Sequence, residues 1–151
     1  MSEIVVREYE EKDLTGVKAI YTDVLGIDEK SAEDDIRHHQ AGRVSKIFVA
    51  EQEGKIVGAI TFYWQEWNMV GHIGIIGVSK EAQGKGVGRK LIENVVEFAR
   101  GIKIRKIYVD TSVENKNAQI FYIKTGFYPE HIMKDYYKEG EDGIMFAMKI
   151  E

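Results

Sequence analysis

Ile4, Val5 and Val6 form a short β-branched run before Arg7, and Ile4 to Arg7 reads as a strand. The period then changes. Leu14, Val17, Ile20, Tyr21 and Val24 recur at three- and four-residue spacing and predict one helix over Asp13 to Leu25. Ser31 is the predicted N-cap of a second helix. Glu33, Asp34 and Asp35 follow it with negative charge in the first turn, where the helix dipole favours it. Ile47 to Glu51 and Ile56 to Tyr63 read as a hairpin turned on Glu53 and Gly54. Val70 to Val78 is almost continuous apolar residue and glycine, the pattern of a strand buried on both faces. A helix ending at Arg100 presents Val87, Leu91, Ile92, Val95, Val96 and Ala99 on one wide face. Ile104 to Asp110 reads as a strand. Asn115 to Thr125 reads as a helix that Gly126 closes at the left-handed cap position. Phe127 to Met133 and Ile144 to Ile150 complete the order β α α β β β α β α β β. Hairpins argue for antiparallel pairing, and the strand–helix–strand unit from Val70 to Asp110 argues for one parallel pair with a right-handed crossover. The predicted fold class is therefore α+β: a mixed, mostly antiparallel sheet of about seven strands, with helices on both faces, in one domain over residues 1–151.

Composition narrows the classes of function. The 151 residues suit one domain, and 44% hydrophobic with 30% charged residues is a globular balance. There is no cysteine, which excludes a disulfide scaffold, a thiolate metal site and a cysteine nucleophile. His38 and His39 lack metal-ligand spacing and read as solvent-facing, so no metal is expected. With 21 basic against 25 acidic residues the net charge is −4, and a nucleic-acid footprint would be basic. No apolar run approaches the roughly 18 residues of a membrane helix, and Met1 to Arg7 does not read as a signal peptide. A cytoplasmic protein with neither nucleic-acid nor membrane partners is expected.

The stretch Gln83, Gly84, Lys85, Gly86, Val87, Gly88, Arg89 lies between a buried strand and an amphipathic helix. Such a turn lets backbone N–H groups converge at a positive helix end, which makes a receptor for phosphate. From Ser79 to Lys90 there are four basic residues (Lys80, Lys85, Arg89, Lys90) against one acid, Glu81. A Walker loop would need glycine at Ser79 and a hydroxyl at Gly86, so it fails. A dinucleotide fingerprint would need glycine at Arg89. A tight turn with no ligand is the plain structural alternative.

At these residues the chain resembles the GNAT N-acetyltransferase family. Gln83, Gly86 and Gly88 fit its first signature; Asn115, Ala118, Phe121, Tyr122, Gly126 and Phe127 fit its second. The resemblance implies a sheet whose fourth and fifth strands splay apart and hold acetyl-CoA as co-substrate, with its pyrophosphate on the glycine turn. It implies that Ile76, Gly77 and Val78 line the pantetheine arm, that Asn115 contacts the cofactor amide, and that Tyr122 is the general acid. Asn115 could equally just cap its helix, and Tyr122 could be a core aromatic. Asp110 stands where relatives that acetylate protein N-termini often carry glutamate, and is the first candidate for the base, directly or through water. His72 and Glu66 are the others.

Trp67, His72, Tyr136 and Tyr137 are the expected acceptor-side residues. The run Asp135 to Asp142 resembles the Tyr-Tyr…Gly-Glu-Asp loop of protein N-terminal acetyltransferases. The segment Gly26 to Lys30 lacks the proline that those enzymes carry between their first two helices. The implied activity is direct acetyl transfer to a primary amine, either a protein α-amine or a small amine. A non-catalytic acyl-CoA-binding or sensor domain is the alternative, and a homodimer is left open.

Overall fold

The computed structural model describes residues 2–151. Its elements run β1 (Val5–Glu8), α1 (Leu14–Ala19), α2 (Glu29–Ala41), β2 (Ser45–Gln52), β3 (Lys55–Gln65), β4 (Val70–Val78), α3 (Val87–Gly101), β5 (Lys106–Ser112), α4 (Lys116–Lys124), β6 (Tyr128–Lys138) and β7 (Glu141–Lys149). The seven strands form one sheet in the order β1-β2-β3-β4-β5-β7-β6. β4 and β5 are its parallel pair, and the other neighbours are antiparallel.

Alternation along the strands sends side chains to two cores. Phe48, Ala50, Ile60, Phe62 and Ile73 pack against Leu91, Ile92, Val95 and Ala99 of α3. Ile47, Val49 and Ala59 point the other way, onto Val17 of α1, Tyr21 just beyond it, and Ala32 and Ile36 of α2. The sheet is thus covered on both faces. Between β2 and β3, Glu53 and Gly54 both have positive φ (52° and 76°), the geometry of a two-residue primed hairpin turn.

Three local expectations are corrected. The first helix is not uniform: a 3₁₀ turn (Glu11–Asp13) leads into α1, and α1 passes into a π turn (Ile20–Val24) closed by Leu25 N–H donating to Ile20 O at 3.3 Å. Ile20, the first residue of the π turn, seats against β4: a Cβ on Gly77 would lie 2.7 Å from Ile20 Cγ2. The N-cap of α2 is Asp28, not Ser31. Its carboxylate accepts from Ser31 N and Ser31 Oγ, each at 2.8 Å, and brings negative charge to the helix start. The last hairpin is longer than expected, so Tyr136 and Tyr137 belong to β6 and not to a loop.

The feature that positions the site is the divergence of β4 from β5. They pair only at Val70–Lys106, Gly71–Ile107 and His72–Tyr108. Beyond that β4 follows β3, while β5 follows β7 through Ser112. A bulge on β4 accompanies the split: between the Ile60–Ile76 and Phe62–Ile73 pairs, β4 carries one residue more than β3. Bulges bend a strand and raise its twist. Thr61, fully buried opposite this bulge, accepts a hydrogen bond from Ile75 N through Oγ1 at 2.9 Å. Gly74 is required beside it, since a Cβ there would come within 2.6 Å of Thr61 Oγ1. Thr61→Val keeps the shape and leaves the part-buried Ile75 N–H without its acceptor, which costs about 1 kcal/mol. Urea denaturation should show that loss of stability.

Candidate active site

The split opens a cleft of about 680 Å³. One wall is Ile76, Gly77 and Val78 of β4, the floor is the glycine turn and the start of α3, and the far wall is α4 with Asn115 and Tyr122. Gly84 and Gly86 have φ of 79° and 83°, a region costly for side chains with a Cβ, and an added Cβ at either would meet nothing within 4 Å. Their backbone is therefore open to a ligand. Gly86 caps α3 and accepts from Lys90 N at 3.1 Å, and the N–H groups of the first turn have no partner within the helix. Gln83 is held by its own side chain, which donates to Val78 O at 3.0 Å. Gly88 is tight for another reason: a Cβ would press on Phe121 Cζ at 2.9 Å, so it lets α3 meet α4. Val87 lends only its backbone to the turn, because its side chain is core. Lys85 is exposed beside the cleft but is not among the lining residues. Glu81, the one local acid, pairs with Lys55 at 3.0 Å. These features fit a pyrophosphate: a glycine cradle, a helix start and an excess of cationic side chains.

Asn115 both caps α4, accepting from Ala118 N at 3.1 Å, and lines the cleft. Tyr122, two turns on, shares that face. It is 5% exposed, and its ring packs on Phe121, Phe127 and Phe146. Burial first, and the nearby Asp110 charge second, hold its phenol well above the ordinary tyrosine range. It is a proton donor throughout neutral pH.

Asp110 lies on β5 just past the split, across the sheet from Met145. Its Oδ1 accepts a hydrogen bond from Tyr137 Oη. His72 lies on the neighbouring strand, sandwiched between Tyr63 (ring centroids 5.1 Å apart) and Tyr108 (5.7 Å). Burial pushes its pKa below the ordinary histidine value, and Asp110 only partly offsets this. The structure thus gathers Asp110, His72, Tyr122 and Tyr137, with Tyr136 stacked edge-on to Tyr137 at 5.0 Å.

Two expected residues are not brought there. Trp67 is 83% exposed in the turn before β4. That turn adjoins the Val70–Lys106 end of the strands, whereas Tyr137 lies at the Asp110 end. Glu66, beside it, is ion-paired with Arg43 at 2.7 Å, which holds its carboxyl below the usual range and away from the cluster. His39 is also corrected. It is buried, with Nδ1 2.6 Å from Ser45 Oγ and its ring stacked on Tyr63.

Comparison with known proteins agrees with this geometry. The model of the acetyltransferase (GNAT) family matches residues 7–127. The chain belongs to the GNAT family. An uncharacterised N-acetyltransferase of Methanocaldococcus jannaschii is 32% identical over 103 residues, covering 68% of this chain and 65% of that protein. An N-alpha-acetyltransferase of Sulfurisphaera tokodaii is 28% identical over 111 residues, covering 66% of each. The chain thus spans about two thirds of the length of these relatives. The crystal structure of the ribosomal-protein-S18-alanine N-acetyltransferase of Escherichia coli superposes with a TM-score of 0.84, at 21% identity, over 99% of this chain and 95% of that one. At that identity the likeness speaks for the fold.

Other residues of this GNAT cleft were not singled out from sequence. Ala118 and Phe121 stood within the second signature but had no site role. Asn117 and Lys124 are polar residues of α4 that periodicity cannot tell from a solvated face. Val24, the last residue of the π turn, also lines the cleft, and no local pattern announced that turn. Thr61 had a signal: one hydroxyl inside the apolar run Val57 to Phe62.

Proposed function

We propose that this GNAT protein is an acetyl-CoA-dependent N-acetyltransferase that moves an acetyl group directly to a primary amine. One observation carries the reading: a single cleft joins the glycine turn to Tyr122 through the gap between β4 and β5, with Asp110 beside its inner end. Gly84, Gly86 and the first turn of α3 would hold the pyrophosphate, and Ile76 to Val78 with Asn115 would flank the pantetheine arm. Bound acetyl-CoA supplies an activated thioester. The amine nitrogen forms the new bond to the acetyl carbon as the carbon–sulfur bond breaks. Asp110 takes the amine proton, directly or through water, and Tyr122 gives a proton to the departing sulfur. His72, uncharged, offers an apolar ring floor and leaves the ammonium to Asp110.

A protein N-terminal α-amine is the acceptor class we favour. The Tyr136–Tyr137 hairpin beside Asp110 and the similarity to an N-alpha-acetyltransferase support it. A cytoplasmic location is proposed with it, in keeping with that substrate; no helix among the described residues is long and apolar enough to cross a membrane.

Asp110→Asn keeps the size and removes the basicity. At neutral pH we expect kcat/KM for the amine to fall roughly 10²-fold or more, the usual span of general acid–base effects. The acid limb of the pH–rate profile should flatten or move, because activity on that limb is lost as the base takes up its proton. A profile of unchanged shape and height would place the base elsewhere.

A further inference from the structure

We infer that Tyr137 is a positioning residue whose hydroxyl fixes the Asp110 carboxylate through Oδ1 and leaves the other oxygen for the acceptor's proton. The inference rests on the reading of Asp110 as base, and it changes the part expected of Tyr137, which the sequence assigned to the acceptor wall.

On β5 Asp110 follows Tyr108 and Val109, and on the neighbouring β7 it faces Met145, which carries no charge. The groups whose charge or hydrogen bonding it shares are Tyr63 of β3, His72 of β4, Tyr122 of α4 and Tyr137 of β6. Three are phenols, and the imidazole is held neutral by burial. No cation stands among these four. Tyr137 Oη is the donor that reaches this carboxylate and fixes its orientation. A hydrogen bond to an ionised acceptor is stronger than one between neutral groups, and it favours the charged form of the acid.

The backbone around Tyr137 supports a built contact. The β6–β7 register breaks between the Met133–Gly143 and Lys138–Glu141 pairs. Asp135, inside that break, takes φ of 50°, a left-handed conformation uncommon outside glycine. It is secured from both sides: Asp135 N donates to Asp142 Oδ1 at 2.9 Å, and Asp135 Oδ1 accepts from Gly140 N at 2.8 Å. The irregular segment carries Tyr136 and Tyr137 out of ordinary strand alternation, and it brings Tyr137 to Asp110. Tyr137 is still 42% exposed, so its ring is not needed to fill the core.

The test is Tyr137→Phe in the full chain, which keeps the ring and deletes the donor. Two readouts separate a positioning role from a wall. In the resting protein, crystal structures of parent and variant should show the Asp110 carboxylate held in one rotamer by Tyr137 and spread over more than one without it. In turnover with acetyl-CoA and the best amine from a panel, kcat should fall several-fold, while the amine KM changes less than twofold. An Asp110 carboxylate held in the same single rotamer in both proteins overturns the inference, as does a variant altered only in amine KM. The crystallographic arm needs no acceptor. It therefore decides the Tyr137–Asp110 pairing even if Asp110→Asn shows that Asp110 is not the base.

Discussion

Gly86→Glu should abolish CoA binding in a protein that still folds. Gly86 sits at φ of 83° directly before α3, with nothing within 4 Å of the position a Cβ would take. The substitution therefore displaces no packed atom. The left-handed backbone costs a non-glycine residue about 1–2 kcal/mol, which a domain of this size should survive. The new carboxylate, however, projects into the space above the turn, where the first N–H groups of the helix, with Arg89 and Lys124 at the cleft, would meet phosphate. It both fills that space and repels the ligand. Calorimetry should detect no CoA binding, and circular dichroism should report an intact fold. Unchanged CoA affinity in a folded variant would remove the turn from the binding site.

Tyr122→Phe should lower kcat roughly 10²-fold or more and leave CoA affinity almost unchanged. The ring contacts to Phe121, Phe127 and Phe146 survive the change, so stability should move little. What is lost is the proton for the departing sulfur. The pH dependence has a definite sign. A general acid acts while protonated, and burial with the Asp110 charge raises the Tyr122 pKa. Deprotonation of Tyr122 should therefore not shape the rate profile at or just above neutral pH. Parent-level kcat, with chemistry shown to limit turnover, would leave Tyr122 a packing residue.

Much of this was legible in the chain, for identifiable reasons. Element order followed from clean changes of period, and the glycine turn announced itself because three glycines and four cations are unusual in an acidic protein. The seven-position step from Asn115 to Tyr122 fixes a shared helix face whatever else happens. The misses share a cause in tertiary packing. Trp67 and Tyr137 are both aromatic residues near chain reversals, and only the β4–β5 register reveals that they sit at opposite ends of the strands. His39 looked solvated among Arg37, His38 and Gln40. Its burial depends on Tyr63 and Ser45, which come from other strands. The π turn after Ala19 leaves no pattern of its own, since its apolar residues satisfy an α-helical period equally well. The β4 bulge was hidden too, although Thr61 and Gly74 are the residues that make it fit.

The most direct test of the account is release of CoA thiol from acetyl-CoA by the purified chain, followed against a panel of peptides, polyamines, amino acids and aminoglycosides. The account predicts thiol release that depends on a primary amine, strongest with a peptide α-amine, and a product heavier by one acetyl group on nitrogen. CoA that binds tightly, with no amine in the panel stimulating release, would contradict it and leave an acyl-CoA-binding domain.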